Sequence, residues 1–300
     1  MDMALLRLAF LFTVGLSAAT ADATTLDPVT TDPPRQEPPA SMEGLHFTSA
    51  GANLNGVIYE AAGPGPHPTL LLLHGFPGNE LNADIAQSVR RAGWNAVIFH
   101  YRGAWGSEGE FTFTHVLEDS AAVFAALREP AFAKAHRVDP ARVSLYGHSM
   151  GGFAALITGA RTPEARCVAS VAGANLGAMA PALADPIAAQ QTAALFQSWA
   201  EGFIRDASGE TLVKELQSSQ GAMDITRGAA ALAARPVLLV TGARDDVTPT
   251  ATNHDPMLAA LRTAGSKHVS ELRLDSDHAF SDARIALARG VVDFLQQNCR

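Results

Sequence analysis

Hydrophobic positions along the chain fall into compact blocks separated by helical stretches. Apolar blocks at 70–73, 96–99, 143–146, 168–171 and 237–240 are short and nearly continuous, as strands buried on both faces require. Residues 269–274 make a further strand, and 45–49 with 54–60 flank a turn at Gly51, as an antiparallel pair would. Between these blocks the period changes to that of a helix. Leu81, Ile85, Val89 and Ala92 share one face before Gly93 stops it, and Leu117, Ala121, Phe124 and Leu127 share another, with Thr114 as candidate N-cap. A helix from about 150 to 159 follows the 143–146 block, and an amphipathic helix over 281–297, capped by Ser281, closes the chain. This alternation predicts an α/β fold with a mostly parallel sheet of about eight strands and helices on both faces.

The pattern breaks in two places. Between Gly173 and Pro236 it becomes Ala- and Gln-rich, with Leu195, Trp199, Phe203 and Ile204 as larger apolar groups. That is far longer than the ~4–6 residues of a median loop, so residues 176–235 are expected to form a helical insertion after the sixth strand, placed to cover a site. Residues 24–43 hold five prolines and few large apolar groups, which predicts an extended tether or disordered arm before a folded unit at 44–300.

The first 23 residues have the form of an export signal. Arg7 and the amino terminus supply positive charge, residues 8–16 are apolar but too short to span a bilayer, and Ala21-Asp22-Ala23 offers a cleavage site. A buried N-terminal helix or an uncleaved anchor is the competing reading. Export implies a periplasmic or secreted protein with no stable membrane span after cleavage.

Composition narrows the function. Thirty acidic residues against 22 Lys and Arg leave a net charge of −8, which argues against nucleic acid as partner. Two cysteines, Cys167 and Cys299, are too few for a disulfide scaffold or a zinc finger. In an oxidising compartment they form one bridge or remain two thiols, and the sequence leaves both open.

The chemistry is carried by Gly147-His148-Ser149-Met150-Gly151, a G-x-S-x-G set between a strand and an apolar helix. A serine hydroxyl projecting from so tight a turn needs small neighbours, and the glycines provide them. A nucleophilic serine also needs a base and a group to orient that base. Two late strands each run into suitable residues: 237–241 leads to Asp245, with Asp246 adjacent, and 271–274 leads to Asp277-His278. His278 is the candidate base and Asp245 the carboxylate that sets its tautomer.

In these motifs the chain resembles the α/β-hydrolase superfamily over roughly residues 67–298. The resemblance rests on His74-Gly75-Phe76 after an early strand, on Phe99 to Gly109, on the Ser149 turn, on Gly242, Asp245 and Pro249, and on Asp277-His278. Within the superfamily it is similar to single-domain relatives of prolyl oligopeptidase and to dienelactone hydrolases, although the latter carry cysteine where this chain has Ser149. The resemblance implies Ser149 as nucleophile, His278 as base and Asp245 as acid. It further implies the Met150 and Phe76 N–H groups as oxyanion donors. The implied reaction is acyl transfer to water from a small-molecule ester or a short peptide, without cofactor or metal; a non-catalytic binding module is the rival from another class. Oligomeric state is left open.

The remaining histidines have blander readings. His74 is expected to shape the oxyanion loop by a side-chain hydrogen bond, and His148 to pack. His100, His115 and His254 lie on separate elements without metal-ligand spacing. Arg102 and Glu108 are expected either to pair with each other and brace the site or to contact substrate. Gly103, Gly106 and Gly109 lack dinucleotide-loop spacing.

Overall fold

The computed structural model describes residues 26–219 and 221–300; the export-signal expectation for 1–23 lies outside the described residues. Eight strands form one sheet in the order β1-β2-β4-β3-β5-β6-β7-β8. They are β1 (Ser41–Ser49), β2 (Ala52–Glu60), β3 (His67–Leu73), β4 (Asn95–Phe99), β5 (Val138–His148), β6 (Val168–Val171), β7 (Val237–Gly242) and β8 (Val269–Leu274). The β1–β2 and β2–β4 pairs are antiparallel and the rest parallel, so the α/β expectation of a mostly parallel sheet with helices on both faces holds.

The strand period of two sorts the apolar side chains. Leu71, Leu73, Val97, Phe99 and Leu145 enter the core on one face, beneath α2 (Phe113–Arg128), α3 (Pro130–Ala135) and α4 (Met150–Arg161). Leu70, Leu72, Ala96, Ile98 and Tyr146 enter the other, where α1 (Ala83–Arg91) lies with the C-terminal helix. Leu70 to Leu73 are all at most 1% exposed, and each such side chain contributes about 1.5–3 kcal/mol by leaving water.

After β6 the chain leaves the sheet as the insertion. Two 3-10 turns precede α5 (Pro186–Ala200) and α6 (Gly209–Ser218), and α7 (Ala229–Leu232) returns to β7. Gly209 permits the α5–α6 approach, since a Cβ there would lie 1.8 Å from the Ala193 carbonyl oxygen. Residues 254–263 form α8 (His254–Thr263), and the chain closes with α9 (Arg284–Asn298).

Local boundaries differ where distant groups decide them. Thr112 caps α2 in place of Thr114, its hydroxyl accepting from the His115 N–H at 2.9 Å. Glu215 of α6 takes up the Phe113 and Thr114 N–H groups, a partner about 100 residues away that no local pattern reveals. Ser281 caps no helix; its N–H and hydroxyl both bind Asp277 in the preceding turn, and α9 starts at Arg284. β1 starts at Ser41, inside the proline-rich stretch, because Ser41 pairs with Glu60. The described residues before it are pinned to the fold: Arg91 donates to the carbonyls of Pro28 and Val29, and Arg289 pairs with Asp27 at 2.6 Å. Cys167 and Cys299 form a disulfide, joining the N-terminal edge of β6 to the end of α9.

Candidate active site

Ser149 sits between β5 and α4 with φ 58° and ψ −121°, a conformation that costs a non-glycine residue energy and turns its side chain out of the strand. The turn closes only with glycine on either side: a Cβ at Gly147 would lie 1.8 Å from the Gly151 carbonyl oxygen, and one at Gly151 would lie 1.9 Å from that of Leu73. The Ser149 N–H donates to the Val171 carbonyl at 2.9 Å, tying the turn to β6. Its hydroxyl does not cap α4, which leaves Oγ free.

Asp245 and His278 come together from the ends of β7 and β8. The His278 Nδ1–H donates to Asp245 Oδ2 at 2.8 Å, and the Asp245 side chain is fully buried. Its other oxygen accepts the N–H groups of Val247 and Thr248 at 2.9 and 2.8 Å. Burial alone would raise this carboxyl, but the His278 and Thr248 hydrogen bonds outweigh it and hold Asp245 below the usual carboxylate range. Asp246 is exposed to solvent.

One residue near this pair, Thr248, had no sequence signal. The Thr248 hydroxyl lies 2.7 Å from Asp245 Oδ2, 3.0 Å from the Ala172 carbonyl and 3.3 Å from His278 Nδ1, so it locks carboxylate and imidazole to β6. His148 packs, as its position in the turn implied, and its Nε2–H donates to the His278 carbonyl at 2.8 Å. Burial, with His278 beside it, lowers His148 to about 4, so it stays neutral.

Ser149, His278, Phe76 and Met150 share one cavity of about 380 Å³. No hydrogen bond joins Ser149 Oγ to His278 among the described residues; such contacts commonly tighten when substrate binds. Met150 opens α4, where the first N–H groups lack intrahelical partners and favour negative charge. Gly75 brings the Phe76 peptide against the serine, since a Cβ at Gly75 would lie 3.0 Å from Ser149 Cβ. The cavity wall is mostly apolar, with Phe113, Leu176, Phe196 and Trp199 among its larger groups, and among the described residues no Asp, Glu, Lys or Arg side chain lines it. Phe196 and Trp199 belong to α5, so the insertion forms part of the wall.

Arg102 and Glu108 do not pair with each other. Arg102 binds the buried Asp119 at 2.6 Å and also Glu118, both on α2, while Glu108 accepts the Asn53 N–H at 2.9 Å. Both brace the fold, because α2 and β2 present partners that are invisible in the loop itself. Among the described residues, Glu43, Glu60 and His136 converge as possible metal ligands on β1, β2 and the turn before β5, but Glu60 is already bound by Arg137 and Ser41.

The sequence model for the alpha/beta hydrolase fold matches residues 68–268, two thirds of the chain, and the protein belongs to that family. Curated relatives include an uncharacterised protein of Mycobacterium tuberculosis, 27% identical over 122 residues. That match covers 40% of this chain and 42% of the relative. Among solved structures, Est1E from Butyrivibrio proteoclasticus superposes with a TM-score of 0.63 at 16% identity, covering 85% of this chain and 98% of that one. An esterase from Pyrococcus furiosus gives 0.64 at 16%, covering 90% and 98%, and the acylaminoacyl peptidase of Pyrococcus horikoshii gives 0.64 at 15%, covering 87% and 42%. At these identities the likeness is one of fold.

Proposed function

We propose that this protein is an exported serine hydrolase that cleaves carboxyl esters of neutral, apolar substrates through an acyl-enzyme. The observation that carries this reading is the shared cavity: Ser149 faces the same uncharged space as His278, and His278 is held in one tautomer by the buried Asp245. With Nδ1 protonated and bound to Asp245, His278 Nε2 is left to accept the Ser149 proton. Ser149 Oγ attacks the carbonyl carbon, and the developing oxyanion is stabilised by the Met150 and Phe76 N–H groups. Each such donor is worth about 2.7–4 kcal/mol in comparable sites. His278 then protonates the leaving alcohol. Water, deprotonated by the same imidazole, attacks the acyl carbon and releases the acid and Ser149.

The solved neighbours bear the names of esterases and of a peptidase, so fold does not separate these activities. The cavity favours esters, because an aminopeptidase needs a carboxylate for the substrate amine and the described residues that line it include none. The disulfide supports export, since such bridges persist in oxidising compartments. A fluorophosphonate probe should label the wild-type chain and not Ser149→Ala. In a panel of esters and aminoacyl amides, turnover should be confined to esters and vanish in Ser149→Ala. Unchanged turnover in that variant would refute the assignment, and preference for aminoacyl amides would move it to a peptidase.

A further inference from the structure

The oxyanion segment Gly75-Phe76-Pro77 is gripped on both sides by side chains. His74 Nδ1 lies 2.7 Å from the Gly75 carbonyl oxygen. A carbonyl only accepts, so Nδ1 carries the proton. In a trans peptide the C=O and the next N–H point in opposite directions. The His74 bond to the Gly75 oxygen therefore sets the direction of the Phe76 N–H.

Trp105 holds the other side. Its indole N–H donates to the Pro77 carbonyl at 2.8 Å. Its ring stacks on His100 with centroids 5.8 Å apart, and His100 Nδ1 lies 3.3 Å from His74 Nε2. With His74 Nε2 unprotonated, His100 Nδ1 is the donor, so His100 fixes the tautomer that His74 needs. Burial, reinforced by His100, lowers His74 to about 3, which keeps that ring neutral. Gly78 completes the packing, since a Cβ there would lie 2.6 Å from the Trp105 indole nitrogen and 2.9 Å from the His74 ring.

Trp105 also meets the insertion. Its ring stacks on Phe203 at 4.8 Å, and its backbone N–H donates to the Phe203 carbonyl at 3.0 Å. Next to it, Ala104 bridges to Ile204 and the Arg205 N–H donates to the Gly103 carbonyl at 2.7 Å. Trp105 is 39% exposed and has a positive φ of 49°, a conformation the surrounding contacts must sustain. These contacts make one connected path from the insertion to the oxyanion peptide.

We infer that Trp105 is a positioning residue for the oxyanion peptide, which it couples to the helical insertion through Pro77, His100 and Phe203. The inference rests on the serine-hydrolase reading. Trp105 touches no reacting atom; it acts by holding the Phe76 N–H where the oxyanion forms. Disturbing it should weaken transition-state stabilisation and leave ground-state binding nearly intact.

The test uses the full chain and a short acetyl ester that does not reach α5. Hydrolysis by the wild type and its loss in Ser149→Ala establish the underlying reading; without them that reading fails before Trp105 is considered. Trp105→Phe keeps an aromatic ring and removes the indole donor. Its kcat should fall about tenfold, the effect of one hydrogen bond, with KM within about twofold. Affinity for a boronic acid that forms a tetrahedral adduct on serine should fall by the same factor as kcat/KM. Phe203→Leu, which removes the stack from the insertion side, should lower kcat with KM again nearly constant, and it serves as the reporter if Trp105→Phe does not fold. Wild-type kcat in a folded variant, or a rise in KM with kcat unchanged, overturns the inference.

Discussion

Replacing Asp245 by asparagine should disable the site by reversing one imidazole tautomer. Asp245 Oδ1 accepts two backbone N–H groups, from Val247 and Thr248 at 2.9 and 2.8 Å. Those donors belong to the loop and cannot turn away, so the carbonyl oxygen of an asparagine must face them. Its NH₂ then occupies the place of Oδ2, 2.8 Å from His278 Nδ1. A donor there forces Nδ1 to become an acceptor, and the ring proton moves to Nε2. In that state His278 cannot take the Ser149 proton. Flipping the asparagine would set its NH₂ against two N–H donors and leave buried groups unpaired, a cost of about 1–3 kcal/mol for each. The equivalent change in known serine triads lowers kcat on the order of 10⁴-fold, or about 5 kcal/mol in the barrier, and on the proposed reading a loss of that order is expected here. The assay is kcat at saturating activated short-chain ester, with circular dichroism to confirm folding. Asp246→Asn is the control, because that residue is exposed and its turnover should stay within about twofold of wild type. Retention of more than about a tenth of kcat in Asp245→Asn, or an equal loss in Asp246→Asn, would refute the reasoning.

Two further predictions concern stability. His148 and His74 are neutral when buried, lowered to about 4 and about 3, whereas an unfolded histidine titrates near about 6.5. The unfolded chain therefore binds more protons below that pH, and stability, full above it, is lost as pH falls from about 6.5 toward 4, by on the order of 3 kcal/mol for His148 alone. Urea midpoints should fall steadily between pH 7 and 4.5, and a flat profile would contradict neutral burial. The disulfide spans 132 residues, for which chain entropy sets an upper bound of about 5 kcal/mol. Cys167→Ser should lose about 2–5 kcal/mol in chemical denaturation, reductant should reproduce the loss in wild type only, and unchanged stability would show that the bridge constrains little.

The legible features were those whose cause is local. A strand buried on both faces must be apolar throughout, so 70–73, 96–99 and 237–240 identified themselves, and the helical faces between them followed. The turn at Ser149 was readable because glycine at 147 and 151 is a steric necessity, which the 1.8 and 1.9 Å approaches express. His278 and Asp245, which the structure joins by a hydrogen bond, stood out by their position after late strands. Thr114, Arg102 and Glu108 were misjudged where the deciding partner came from another element, Glu215, Asp119 and Asn53 respectively, and Ser281 where Asp277 in the preceding turn takes up its N–H and hydroxyl.

By itself, the sequence determined an α/β sheet, a long insertion after the sixth strand and a serine, aspartate and histidine in an order that one fold can gather. These follow from periodicity and from the chemistry of particular residue types, which neighbours along the chain already constrain. Tertiary structure alone decided that Cys167 meets Cys299, that Thr248 and His148 secure the two loops of the site, and that α5 lines an uncharged cavity. It also brought His74, His100, Trp105 and Phe203 into one run of contacts against the Gly75–Pro77 segment. Hydrogen bonds and ring contacts act over a few ångströms, and residues such as His74 and His100, 26 positions apart, or Cys167 and Cys299, 132 apart, enter that range only after the sheet has formed.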